Sequence, residues 1–161
     1  MSTLVKAKLI AQEGSSNIEF MFNPTELSFS RGLNINPSKS ARTQKGLPKV
    51  SFGSPQPYSV TVSGLMFDTY ETGENVIDKY IENFRQAVEF MDSPERPPIY
   101  ILTWGNQEYL RCFVESLSYT LTMFLADGTP VRATVTITLM ETDEVSSAAN
   151  SGTPSRGSTT R

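Results

Sequence analysis

A chain of 161 residues with 38% apolar content is long enough for one domain with a real hydrophobic core. Its net charge of −3 argues against nonspecific nucleic-acid binding, and the lack of any histidine removes the usual general base, the commonest metal ligand and every imidazole triad. The single cysteine, Cys112, excludes an internal disulfide and a thiolate metal cluster; its RCFV setting predicts a packed small hydrophobe rather than a reactive thiol.

Lys6 and Lys8 interrupt the apolar start of the chain, so no secretory signal is expected, and no window reaches the length of a membrane-spanning helix. Cytoplasmic assembly without membrane insertion is the expectation. Val5, Ala7, Leu9 and Ala11 alternate against the lysines and predict a strand over 4–12. After the turn-rich EGSSN, Ile18, Phe20 and Phe22 resume the period of two. In Asn23-Pro24-Thr25 the proline has no N–H to donate and biases Asn23 towards extended backbone, so this corner ends one strand and redirects the chain into another at 27–31.

From 32 to 57 the periodicity dissolves. Gly32, Pro37, Gly46, Pro48, Gly53, Pro55 and Pro57 punctuate the segment. Arg31, Lys39, Arg42, Lys45 and Lys49 meet no acidic residue between Leu27 and Phe67. The pattern predicts a long basic loop, 32–57, read either as a solvated excursion or as an arm that orders against another subunit.

A strand follows over 58–67, with Tyr58, Val60 and Val62 in one phase and Leu65 and Phe67 in the other. Gly64 stands at the switch, where a bulge is expected. Asn75 is a good N-cap, and Ile77, Tyr80, Ile81, Phe84, Val88 and Met91 keep helical spacing, which predicts one helix over 75–92. Strands are expected at 99–104 and 109–114, joined by a tight reversal at Gly105-Asn106. Leu117, Tyr119, Leu121 and Met123 alternate with Ser118, Thr120 and Thr122, and a bulge is expected near Ser116 so that Glu115 is not buried. After a turn at Asp127-Gly128, residues 131–139 alternate most clearly of all. The last residues, 145–161, are Ser/Thr/Gly-rich and predict a disordered tail or linker.

Asp68, Glu71, Glu74 and Asp78 are the best carboxylate grouping, and paired carboxylates can hydrolyse glycosides or hold a hard cation. All four surround a helix start, however, where the dipole favours acids, and the DTYETGEN spacing is not that of a calcium loop. No phosphate-binding loop, dinucleotide fingerprint or GxSxG is present. The expectation is therefore no catalytic residue, no cofactor and no metal. Phe20, Phe22, Phe29, Tyr58, Phe67, Trp104 and Tyr119 read by default as core. The basic stretch from Arg31 to Lys49 faces an acidic one of eight carboxylates from Asp68 to Glu95. Opposite patches of this kind can pair head to tail between copies and close a ring, or else only solubilise separate faces.

The blocks FMFNPTELSFSRG, FDTYETGENV, RPPIYILTWG and FVESLSYTLTMFLADGTPVRATVTITLMET, in this order, resemble the tube-like domain of contractile injection systems over residues 1–145. The resemblance implies a mainly β (α+β) fold, an antiparallel tube-type β-barrel or split β-sandwich with one flanking α-helix, over residues 1–144. It further implies a homohexameric ring, an adaptor joining the inner tube or its initiator to the spike or hub of the baseplate, within a phage-tail-like particle. Members with this domain often carry a C-terminal LysM module; here a Ser/Thr-rich stretch stands after Met140-Glu141-Thr142 instead. On this reading Arg31, Lys39, Arg42, Lys45 and Lys49, with Asp68, Glu71 and Glu74, are the candidate inter-subunit contacts. Three other readings stay open: a bulk inner-tube subunit of the same machine, a small glycan-binding β-sandwich using Tyr58 and Trp104, and a hydrolase using the carboxylates from Asp68 to Asp78.

Overall fold

Residues 3–42 and 44–143 are described by the computed structural model, and their organisation is dominated by strands. The tail expected at 145–161 lies outside the described residues. Strands β1 (Ala7–Ala11), β2 (Ile18–Glu19), β3 (Ser28–Ser30), β6 (Ser59–Asp68), β7 (Tyr100–Trp104), β8 (Gln107–Phe124) and β9 (Pro130–Glu141) form one antiparallel sheet in the order β2-β1-β7-β8-β9-β6-β3. The sheet curls into a half-barrel with one short helix, a mainly β, barrel-like fold.

The long strand β8 causes the curl. It pairs with β7 from Gln107 to Cys112 and with β9 from Cys112 to Phe124, so its two halves belong to two different ladders. Between Val114 and Ser116 the register slips, which leaves Glu115 exposed on a bulge as its charge requires. In β9 the β-branched and aliphatic row Val131, Ala133, Val135, Ile137 and Leu139 is wholly buried, flanked by β8 and β6. Gly64 adopts φ +69°, and the ladder passes from Val62↔Ile137 to Leu65↔Val135. The bulge absorbs the phase change seen in the sequence, so Val60, Val62, Leu65 and Phe67 all reach the core.

The helix is shorter than 75–92. The Asn75 Oδ1 accepts the Ile77 N–H at 2.9 Å and starts a π-helical turn, Ile77–Ile81, which runs into α1, Glu82–Ala87. Val88 leaves helical geometry at φ −100°, ψ 9°, and the Met91 N–H turns to the Arg96 carbonyl at 2.9 Å. The helical spacing of Val88 and Met91 is therefore coincidental: the backbone has left the helix at Val88, well before Pro94. Phe84 of α1 plugs the half-barrel, 6.4 Å from Phe20 and 5.6 Å from Phe67, with Tyr80 5.0 Å from Phe67. Cys112 is buried among these layers, and burial pushes its thiol up to about 12.

The Asn23-Pro24-Thr25 corner does more than redirect the chain. The Asn23 Oδ1 accepts the Ala7 N–H at 2.8 Å while its Nδ2 donates to the Val5 carbonyl at 2.9 Å. A side-chain amide thus continues the β1 ladder where β2 has ended.

Segment 32–57, expected to be a loop, forms a two-stranded ribbon of β4 (Leu33–Arg42) and β5 (Pro48–Pro55). Ile35 pairs with Phe52 and Asn36 with Ser51, with register shifts on both sides and Gly46 at φ +80° in the turn. Those shifts destroy the period of two that would have revealed the strands. A two-stranded ribbon is an edge on both sides, so it tolerates proline better than a sheet interior does.

Candidate assembly surfaces

Two strand edges stand open. Phe113 to Phe124 of β8 pair with β9 on one side, and β7 has already ended at Cys112 on the other. Across the sheet, β3 covers only Ser59 to Thr61 of β6, so Val62 to Asp68 have a ladder partner on the β9 side alone among the described residues. The block β8-β9-β6 therefore offers backbone donors and acceptors on both flanks, a configuration that invites pairing with another chain.

One face of this block buries the apolar rows. The other is rich in hydroxyls, because the ladders set Ser116 opposite Thr138, Ser118 opposite Thr136 and Thr120 opposite Thr134 on β8, and Thr61 opposite Thr138 on β6, with the exposed Met66 opposite Thr134. Ser116, Ser118 and Thr120 are exposed and the three β9 threonines half-buried. The alternation was visible in each strand separately; that the rows align across three strands required the register.

The ribbon carries the basic candidates. Lys45 and Lys49 are exposed, whereas the side chains of Lys39 and Arg42 lie outside the described residues. Arg31 sits at its root, donating from Nε to the Gln56 carbonyl at 2.8 Å with its guanidinium 4.8 Å from the Tyr58 ring centre. Leu33, Ile35, Leu47 and Phe52 are 62, 52, 62 and 78% exposed. Apolar groups held in water on an isolated pair of strands are marginal until something covers them.

The acidic candidates divide. Asp68 accepts Arg132 Nε and Nη2 at 3.0 and 2.8 Å and the Tyr70 N–H at 2.9 Å. The Tyr70 N–H first and Arg132 second hold its carboxyl below the usual value. Glu74 is paired with Lys79 at 2.5 Å and bonded by the Thr72 hydroxyl; Lys79 lowers Glu74 and is itself raised by it. Glu71 is exposed and lines, with Asp68, Tyr70, Lys79 and Arg132, a basin of about 540 Å³. Two of the three predicted carboxylates are thus engaged inside their own chain, and the structure does not bring the acidic group to the basic one. Among the described residues no three His, Cys, Asp or Glu side chains converge as a metal cluster.

The aromatics are less uniformly core than expected. Phe20 and Phe67 are buried, but Phe22, Phe29, Tyr58 and Tyr119 are partly exposed. Phe29 lies 5.9 Å from Tyr109, and with Tyr58, Leu110 and Glu141 they line a shallow pocket of about 380 Å³. Trp104, expected to be exposed on the glycan-binding reading, is half-buried against the core with its indole N–H on the Val5 carbonyl at 3.2 Å, which removes it as a stacking platform.

Open edges, an uncovered ribbon and a curled β sheet define a building block of a larger β assembly. The family of contractile injection system tube proteins matches residues 3–150, and the chain belongs to it. It is accordingly a structural component of a phage-tail-like particle, assembling with itself and with other tube or baseplate components. No curated protein matches the chain. No helix among the described residues is long and apolar enough to cross a membrane.

Proposed function

We propose that the chain is a non-enzymatic ring subunit that joins the inner tube, or its initiating ring, to the spike or hub of the baseplate, with residues 1–144 forming the ring and 145–161 a linker. The observation that carries the ring is the pair of open edges flanking one block, the outer edge of β8 and that of β6. Joining the first edge of one copy to the second edge of the next is a head-to-tail contact, and repetition closes when the rotation per copy divides a full turn.

Six copies per ring are what the family resemblance implies. The ribbon, with Lys39, Arg42, Lys45 and Lys49, and with Arg31 at its root, reaches a neighbouring copy or ring, covers its apolar residues there and meets carboxylates such as Glu71; Asp68 and Glu74 shape the acceptor through their own pairs. Force and alignment then pass through stacked rings, with no chemical step. The family's description fits a bulk inner-tube subunit equally well. Copy number separates the two: an adaptor occurs once per particle as a ring, a tube subunit as many.

Proline substitution at each of Leu117, Ser118, Tyr119 and Thr120 tests the edge. Along an antiparallel strand alternate N–H groups point to opposite sides, so two of the four variants break the β9 ladder and the other two face outward. The outward pair leaves a folded monomer that forms no rings in negative-stain electron microscopy. Ring formation by all folded variants would sink the proposal.

A further inference from the structure

We propose that Arg31 is a clamp that presets the direction in which the β4–β5 ribbon leaves the sheet, so that the ribbon meets a partner as an arm already aimed. The inference goes beyond the ring reading and stands on the ribbon's root alone. It gives Arg31 a positioning role within its own chain, in place of a contact between copies.

The ribbon is a sheet of its own, separate from the seven-stranded one, so its direction depends on the two links that join it to the body. The link after β5 is stiff: Pro55 and Pro57 fix their own φ, and Pro57 biases Gln56 towards extended backbone. The link before β4 is Gly32, a residue with the widest choice of backbone angles. Shallow clefts flank this root, one of about 490 Å³ reaching Arg111 and Asp143, the other of about 290 Å³ reaching Ser59 and Met140. The ribbon therefore has room to swing about Gly32 to either side.

Arg31 closes that freedom. Its Nε donates to the Gln56 carbonyl at 2.8 Å, across the root from one link to the other. Its guanidinium lies 4.8 Å from the ring centre of Tyr58, whose carbonyl is fixed to β9 by the Glu141 N–H at 2.8 Å. One side chain thus ties the ribbon's entry, its exit and the body together. Gln56 completes the root: its N–H donates to the Gly32 carbonyl at 3.0 Å and its Nε2 to the Asn34 Oδ1 at 2.9 Å. That amide passes so close that a Cβ on Gly32 would stand 2.8 Å from the Gln56 Oε1. A guanidinium donates in its plane and stacks on its face at once, whereas an ammonium has no flat face with which to do both. Shape, and not charge alone, makes the clamp. An arm aimed beforehand has less freedom to lose when its exposed Leu33, Ile35, Leu47 and Phe52 are covered.

The test is double electron–electron resonance on the full chain carrying nitroxides at Lys49→Cys and Thr61→Cys, both exposed positions, diluted in unlabelled chain so that only distances within one chain are read. The native Cys112 is buried and stays unlabelled. Lys49 lies about 20 Å along β5 from Pro55, so a swing of about 30° moves it by about 10 Å. The wild-type background and Tyr58→Phe, which keeps the ring, should give one narrow peak. Arg31→Ala, Arg31→Lys and Tyr58→Leu should broaden or shift it by about 10 Å. Far-UV circular dichroism checks folding, and if Arg31→Ala fails to fold, Arg31→Lys and Tyr58→Leu carry the test. An unchanged peak in the folded alanine and leucine variants, a narrow peak in the lysine variant, a broad one in Tyr58→Phe, or a wild-type distribution as broad as the variants' each overturns the inference.

Discussion

Replacing Asn23 with alanine removes the amide that finishes the β1 ladder. Ala7 is fully buried, so its N–H has no water to turn to once the Oδ1 at 2.8 Å is gone. An orphaned buried donor costs about 1–3 kcal/mol, and the second bond, to the half-exposed Val5 carbonyl, about 1 kcal/mol or less because water replaces it. The sum is about 2–4 kcal/mol, which at a urea slope of about 2 kcal/mol/M lowers the midpoint by about 1–2 M. Asn23→Asp separates the two bonds: the carboxylate still accepts from Ala7 but cannot donate to Val5, so it should recover more than half of the loss. The assay is equilibrium urea unfolding followed by fluorescence of Trp104, the only tryptophan, whose indole N–H shares the Val5 carbonyl and so reports on this corner. An alanine variant within about 0.5 kcal/mol of wild type, or an aspartate variant as unstable as alanine, refutes the account.

Charge reversal at Lys45 and Lys49 together should lower the ring fraction in sedimentation velocity while leaving the monomer's urea midpoint unchanged; identical sedimentation counts against the ribbon as an electrostatic arm. Asp68 and Glu74 have folded pKa values below their ordinary 3.8 and 4.5, so their contribution is complete above those values and is lost as pH falls through the folded ones. Lys79 is raised above 10.5, so its share is lost only as pH rises through its folded value. With no histidine present, the urea midpoint should be flat from about pH 6 to about pH 9 and fall in acid, less steeply in Asp68→Asn; an unchanged acid slope in that variant contradicts the pairing. The Cys112 thiol should resist Ellman's reagent at pH 8 in the folded protein and react fully in urea, and rapid reaction without denaturant shows that the site opens.

Much of the architecture is written locally. The alternation of β9 and of the second half of β8, the Gly64 bulge, the Asp127-Gly128 turn and the bulge at Glu115 each follow from a rule that acts within a few residues: side chains alternate along a strand, glycine alone tolerates positive φ cheaply, and a lone carboxylate stays in water. The blocks around Asn23, Asp68, Pro97 and Val131 also carried the family, because several short motifs in a fixed order are themselves sequence. The ribbon escaped because its register shifts erase periodicity, and the helix was overextended because Val88 and Met91 match a spacing that the backbone has already left at Val88.

The amino-acid sequence alone determined that this protein is β-rich, lacks imidazole chemistry and carries its cations and carboxylates in separate stretches. Only the tertiary structure decided that Asp68 and Glu74 spend their charge on Arg132 and Lys79, that two strand edges remain unpaired, and that threonines and serines from β6, β8 and β9 lie in one hydroxyl-rich field. The reason is register. Composition and spacing act along one strand, whereas which residues stand opposite, and which backbone groups find no partner, depends on how distant segments are laid side by side.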